Sequence, residues 1–85
     1  MDCIFCKVAA HDIPARTVFE NERLIAFHDL FPQAPTHILI IPKLHIVSMV
    51  DVGPEHAALL GHMMATSPRL MRELGVTNGF RTVIN

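Results

Sequence analysis

In the first half of the chain, apolar side chains come in short dense runs; in the second half they recur at helical spacing. Ile4, Phe5, Val8, Ala9 and Ala10 lie in a mixed segment over residues 1–16 that suits one short helix before Pro14. Thr17-Val18-Phe19-Glu20 is rich in β-branched and aromatic residues and reads as a strand. Asn21-Glu22-Arg23 is a turn and Leu24-Ile25-Ala26-Phe27-His28 a second strand, so the two form a hairpin. Pro32 and Pro35 make residues 29–36 a loop. His37-Ile38-Leu39-Ile40-Ile41 is a continuous apolar strand, expected to be covered on both faces and ended by Pro42.

Gly53-Pro54-Glu55 begins a helix: proline is tolerated at the first helical position, and the acid suits the positive end of the dipole. Leu60, Met63, Met64, Met71 and Leu74 follow at helical spacing, with polar Ser67 interrupting the stripe and Gly75 as the stop. Pro68 conflicts with this helix, because an internal proline removes a hydrogen bond and costs about 3 kcal/mol. A kink or restart is therefore expected around Thr66-Ser67. Thr77-Asn78-Gly79 is a turn, and Phe80-Arg81-Thr82-Val83-Ile84 alternates like a strand with an uncovered edge. The order of short helix, three strands, long helix and strand predicts an α+β fold with an antiparallel sheet, as a single domain over residues 1–85.

Composition narrows the class. The 85 residues are 51% hydrophobic and 18% charged, with a net charge of −1. Mean hydropathy is +0.36, which excludes a disordered tail. It is high for a small monomer, so either some apolar surface is expected to meet a partner or part of the domain is expected to lie outside this chain. A pI near 6.6 gives no electrostatic footprint for nucleic acid or acidic membranes. No apolar run approaches the ~20 residues of a membrane helix, and no secretory signal is visible, so a cytoplasmic setting is the default. There, a close cysteine pair points to metal or redox chemistry.

Two constellations can carry chemistry. Cys3 and Cys6, two residues apart, suit one zinc ion, with His45 as a third ligand and no evident fourth. The same cysteines also read as two small apolar side chains. In the second constellation, Phe27-His28-Asp29-Leu30 faces Pro35-Thr36-His37 across the loop. A carboxylate at a strand end can accept hydrogen bonds from a ribose hydroxyl pair, with Phe27 and Leu30 flanking a base; equally, Asp29 can cap its own turn. His28 and His37 also read as hydrogen-bonded structural groups. The methionines read as core or dimer packing, and His56 and His62 as solvated. There is no glycine-rich phosphate loop, no G-x-S-x-G and no histidine beyond His62.

Taken together, Cys3-Ile4-Phe5-Cys6-Lys7, Ile13-Pro14-Ala15, Ala26-Phe27-His28-Asp29, Pro32-Gln33-Ala34-Pro35-Thr36-His37, Ile41-Pro42-Lys43, His45-Ile46 and Gly79 to Asn85 resemble the histidine triad (HIT) family, and most of all its Hint branch of nucleotide-binding hydrolases. The resemblance implies a HIT-like α+β domain that pairs into a homodimer, binds purine nucleoside monophosphates and cleaves phosphoramidate or acyl-phosphate bonds to release AMP. It implies that Asp29 binds ribose with Phe27 and Leu30 around the base, that His37 lies near the phosphate, and that Asn85 contacts the nucleotide and supports catalysis. It implies zinc ligation by Cys3, Cys6 and His45. The family's His-x-His-x-His motif, which supplies the nucleophile and the fourth zinc ligand, is not among these residues. The chain is therefore expected to stop short of the catalytic strand and to be inactive alone. The alternative is a non-catalytic nucleotide- or protein-binding module, stabilised by zinc.

Overall fold

The computed structural model describes residues 3–84. They fall into two compact units, divided after His45. The first unit holds helix α1 (Ile4–Ala9) and three strands, β1 (Thr17–Glu20), β2 (Leu24–His28) and β3 (Ile38–Pro42). The strands form an antiparallel sheet in the order β1-β2-β3. Asn21 closes the hairpin, its Oδ1 accepting from the backbone N–H groups of Arg23 and Leu24, each at 2.9 Å. The register shifts between Thr17 and Phe19, a bulge in the edge strand.

Two of the expected strands have the anticipated limits, and the third runs Ile38–Pro42 rather than 37–41. The burial differs from expectation. β2 is the buried strand, with Leu24 and Ala26 at 0% exposure and Ile25 at 1%, whereas every residue of β3 is half-buried. The central position of β2 explains this, since it is paired along both edges. Ile25 and Phe27 form a cluster with Val8 of α1, and Ala9, Ile13, Ala15, Leu39 and Ile41 pack around them. Burying a side chain the size of Ile25 stabilises a fold by about 1.5–3 kcal/mol.

α1 ends in a Schellman turn. The Asp12 N–H donates to the Lys7 carbonyl at 2.8 Å and the His11 N–H to Val8 at 3.0 Å. The residue in the left-handed position is His11, with φ of 64°. Glycine usually fills that position, because a side chain there costs about 1–2 kcal/mol.

The second unit holds helix α2 (Ala57–Glu73), entered through a 3-10 turn over Pro54–His56. His56 is half-buried rather than solvated; its Nδ1 accepts from the Gly53 N–H at 3.0 Å and holds the turn. His62 is also half-buried. The buried side chains of α2 are Leu59, Thr66, Ser67 and Leu70, while Met64 is 51% exposed and Leu74 36%. The buried stripe is thus rotated from the methionine-rich one anticipated, and it includes two hydroxyls. α2 ends at Gly75, φ 85°, where Val76 donates to Met71 and Gly75 to Arg72 in a second Schellman turn.

The helix does not restart at Pro68: helical structure continues through it to Glu73. Pro68 has no N–H to offer the Met64 carbonyl four residues back. The Ser67 hydroxyl donates to that carbonyl at 2.8 Å, and the Thr66 hydroxyl donates to His62 at 2.7 Å. The polar interruption of the stripe therefore replaces the hydrogen bond that proline deletes. Residues 80–84 enter no β-ladder among the described residues, so the final strand expected there is not formed. Alternation permits a strand, but only a hydrogen-bonded neighbour makes one.

The Ser67–Pro68 exchange is testable. Ser67→Ala should destabilise by about 1 kcal/mol, the usual net worth of a hydrogen bond. In a Pro68→Ala background the backbone donor is restored and the same substitution should cost much less. Urea denaturation of the four variants measures the difference.

Candidate nucleotide and metal sites

The β2–β3 register places two titratable side chains at the neck of the connecting loop. His28 pairs with Ile38, and the ladder continues one step, the Asp29 N–H donating to the His37 carbonyl at 3.0 Å. Asp29 and His37 thus face each other where the loop leaves the sheet. Oδ1 of Asp29 accepts from the Phe31 N–H at 3.0 Å, and Oδ2 lies 3.4 Å from Nε2 of His37. Nδ1 of His37 accepts from the Gln33 N–H at 3.0 Å. A backbone N–H can only donate, so the lone pair is on Nδ1 and the proton of a neutral ring on Nε2, toward Asp29.

Asp29 therefore does cap its own turn, as its simpler reading holds. That role does not exhaust it. Each carboxylate oxygen has two lone pairs, and the Asp29 side chain is 22% exposed. Acceptor capacity for a pair of hydroxyls remains. Leu30 is 74% exposed and Phe31 83%, so the loop presents apolar surface beside the carboxylate. Phe27 does not share in this. At 6% exposure it is packed with Val8 and Ile25, and its ring face is not offered to solvent. His28 is half-buried on the last position of β2. Asn85 lies outside the described residues.

At the opposite end of the sheet, Cys3, Cys6 and His45 come together, their ligand atoms all within 4.8 Å of one another. Cys3 is the N-cap of α1, and its Sγ accepts from the Cys6 N–H at 3.4 Å. Sγ of Cys6 is 3.0 Å from Nδ1 of His45, which stands just past the exit of β3. Hydrogen bonds from the Cys6 amide and thiol hold the Cys3 thiol below its ordinary pKa. The Cys3 hydrogen bond and burial push the Cys6 thiol up. Two thiols and an imidazole with ligand atoms within 4.8 Å of one another are a donor set suited to three of the four positions of a tetrahedral zinc site. Among the described residues no fourth cysteine, histidine or carboxylate joins them.

One cluster escaped the sequence reading. Oε2 of Glu20 accepts from Lys43 Nζ at 2.7 Å and lies 2.7 Å from Nε2 of His11. Lys43 first, and then His11, hold the Glu20 carboxyl below its ordinary value. β1 and β3 both flank β2, so Glu20 at the end of one and Lys43 just past the end of the other stand at the same end of the sheet, a placement that strand order supplies and local pattern does not.

Comparison with known proteins decides the family. The family model described as "Scavenger mRNA decapping enzyme C-term binding" matches residues 2–84. Protein HitA of Neisseria gonorrhoeae is 49% identical over 84 residues, covering 99% of this chain and 78% of HitA. This chain belongs to the histidine triad family. The purine nucleoside phosphoramidase of Escherichia coli (strain K12) is 38% identical over 85 residues, covering 99% of this chain and 71% of the enzyme. A HIT family hydrolase from Legionella pneumophila superposes with a TM-score of 0.94 at 42% identity, over 99% of this chain and 78% of that one. The fold is accordingly the HIT fold, α+β. Among the described residues no helix is long and apolar enough to cross a membrane.

The Glu20 network has a definite pH dependence. Its carboxyl is lowered on folding, so the stability it contributes is complete above the ordinary value of 4.5 and is lost as pH falls through the lowered folded value. Urea melts should show Glu20→Gln less stable than wild type at pH 7. As pH falls through the lowered value of the Glu20 carboxyl the two midpoints should converge.

Proposed function

We propose that this HIT chain binds a purine nucleoside monophosphate through its β2–β3 loop and forms part of a hydrolase of nucleoside phosphoramidates or acyl-nucleotides. The observation that carries the reading is the neck of that loop. A partly exposed carboxylate, Asp29, and an oriented imidazole, His37, stand side by side beside apolar Leu30. The name of the Escherichia coli relative, a purine nucleoside phosphoramidase, supports the same substrate class.

Asp29 accepts hydrogen bonds from the ribose 2′- and 3′-hydroxyls. Leu30 covers one side of the base, and Phe27 supports the loop from the core. His37 lies toward the phosphate, its ring oriented by Gln33 and Asp29. Asn85 contacts the nucleotide and supports catalysis. The covalent step belongs to a histidine of the His-x-His-x-His motif, which these 85 residues do not contain. Its imidazole attacks the α-phosphorus, breaking the phosphorus–nitrogen or phosphorus–oxygen bond to the amine or carboxylate leaving group, and water then cleaves the new phosphorus–imidazole bond to release AMP. The 85-residue chain by itself binds without turnover. The protein is a cytoplasmic homodimer.

Cys3, Cys6 and His45 hold a structural zinc ion, which would tie the N-terminal segment to the exit of β3. Their convergence also favours a second reading, a zinc-stabilised nucleotide-binding module without catalysis.

Titration calorimetry with AMP should give saturable binding to wild type and at least tenfold weaker binding to Asp29→Ala, as expected when hydrogen bonds to a charged group are lost. Equal affinities, or no binding by either, would remove the nucleotide reading. Metal analysis after dialysis should find zinc in wild type and little in Cys6→Ser. Chelation should lower the melting temperature of wild type, and a chelator without effect would count against the structural role.

A further inference from the structure

Glu20 joins two segments that meet nowhere near each other in sequence. Both bonds go to the same oxygen, Oε2, from His11 on one side and Lys43 on the other, each at 2.7 Å. His11 is the left-handed residue of the turn that closes α1, the helix carrying Cys6 and capped by Cys3. Lys43 immediately follows β3 and stands two residues before His45. Glu20 itself is fixed in the sheet, paired with Ile25 in the register that also pairs Ile25 with Ile41. One carboxylate on a rigid strand thus ties down both pieces of chain that deliver the cysteine–histidine donors.

His11 strengthens this case. It occupies a left-handed conformation, φ 64°, where glycine or asparagine would be accommodated more easily. A strained residue persists when its surroundings over-determine it, and the contact in hand is its imidazole on Glu20. Ion pairs this exposed contribute little to global stability. What such a pair can do is narrow the range of positions that the flanking segments sample, and the groups that support metal ligands set affinity in this way.

We infer that Glu20 is a positioning residue for the Cys3–Cys6–His45 site, clamping the α1 exit and the β3 exit together so that three donors are presented to a metal ion as a preformed set. The inference rests on the metal-ligand reading of those three residues. It makes Lys43 and His11 the two arms of the clamp.

Cobalt(II) titration of the full 85-residue chain, followed through thiolate-to-cobalt charge-transfer and d–d absorption, tests it. Wild type should develop both sets of bands. Glu20→Gln and Lys43→Met should each bind about three- to tenfold more weakly, below the roughly 10–100-fold typical of groups bonded directly to a ligand. Lys43→Arg keeps the charge and should bind as wild type does. The helical circular dichroism of the metal-free Glu20→Gln chain should match wild type. Equal cobalt affinity in wild type and Glu20→Gln would overturn the positioning role and leave the metal site standing. Absence of charge-transfer bands in wild type would overturn the metal site and the clamp with it. If Glu20→Gln does not fold, His11→Asn replaces it. Asparagine tolerates the left-handed turn and removes one arm, and unchanged affinity there would also sink the clamp.

Discussion

The antiparallel register between β2 and β3 is the constraint on which both candidate sites depend. It pairs Leu24 with Pro42 and His28 with Ile38, and backbone hydrogen bonds extend it one step further at each end, Lys43 to Arg23 and Asp29 to His37. At one end of the sheet this places a carboxylate beside an imidazole. At the other it directs Lys43 toward Glu20 and delivers His45 to Cys6. A slip of one residue would turn every side chain of one strand to the opposite face. Ile25 and Phe27 would then leave the cluster with Val8, and their burial is what prevents the slip.

The sheet therefore works as a ruler with chemistry at both ends. The loop end is polar and partly open, with hydrogen bonds that orient Asp29 and His37 without saturating the carboxylate. The far end is a cluster of soft and borderline donors from the start of the chain and the exit of β3, held beside a charged network. Nothing in the intervening strands is polar and buried without a partner among the described residues.

Two local conflicts are resolved by neighbours rather than avoided. Pro68 deprives Met64 of its helical donor, and the preceding serine supplies one from its side chain. His11 sits where glycine is easier, and its imidazole is bonded to Glu20. In each case a residue that local propensity disfavours sits beside the interaction that retains it.

Local pattern was enough for the first three strands, the hairpin, the loop marked by Pro32 and Pro35, and the helix stop at Gly75, because hydrophobic period, proline and glycine act locally. It also nominated Cys3, Cys6, His45, Asp29 and His37, through spacing and the resemblance to the HIT family. Of the kink or restart expected at Thr66-Ser67, the restart does not occur: propensity counts the missing N–H and not the hydroxyl beside it. The strand expected over residues 80–84 was misjudged because alternation cannot supply a pairing partner. Strand order and register alone settle that β2 is the buried strand, that Phe27 packs with Val8 and Ile25, and that Glu20 ties His11 to Lys43. Those three facts depend on strand order and register, which bring together residues distant in sequence, and no local pattern carries that information.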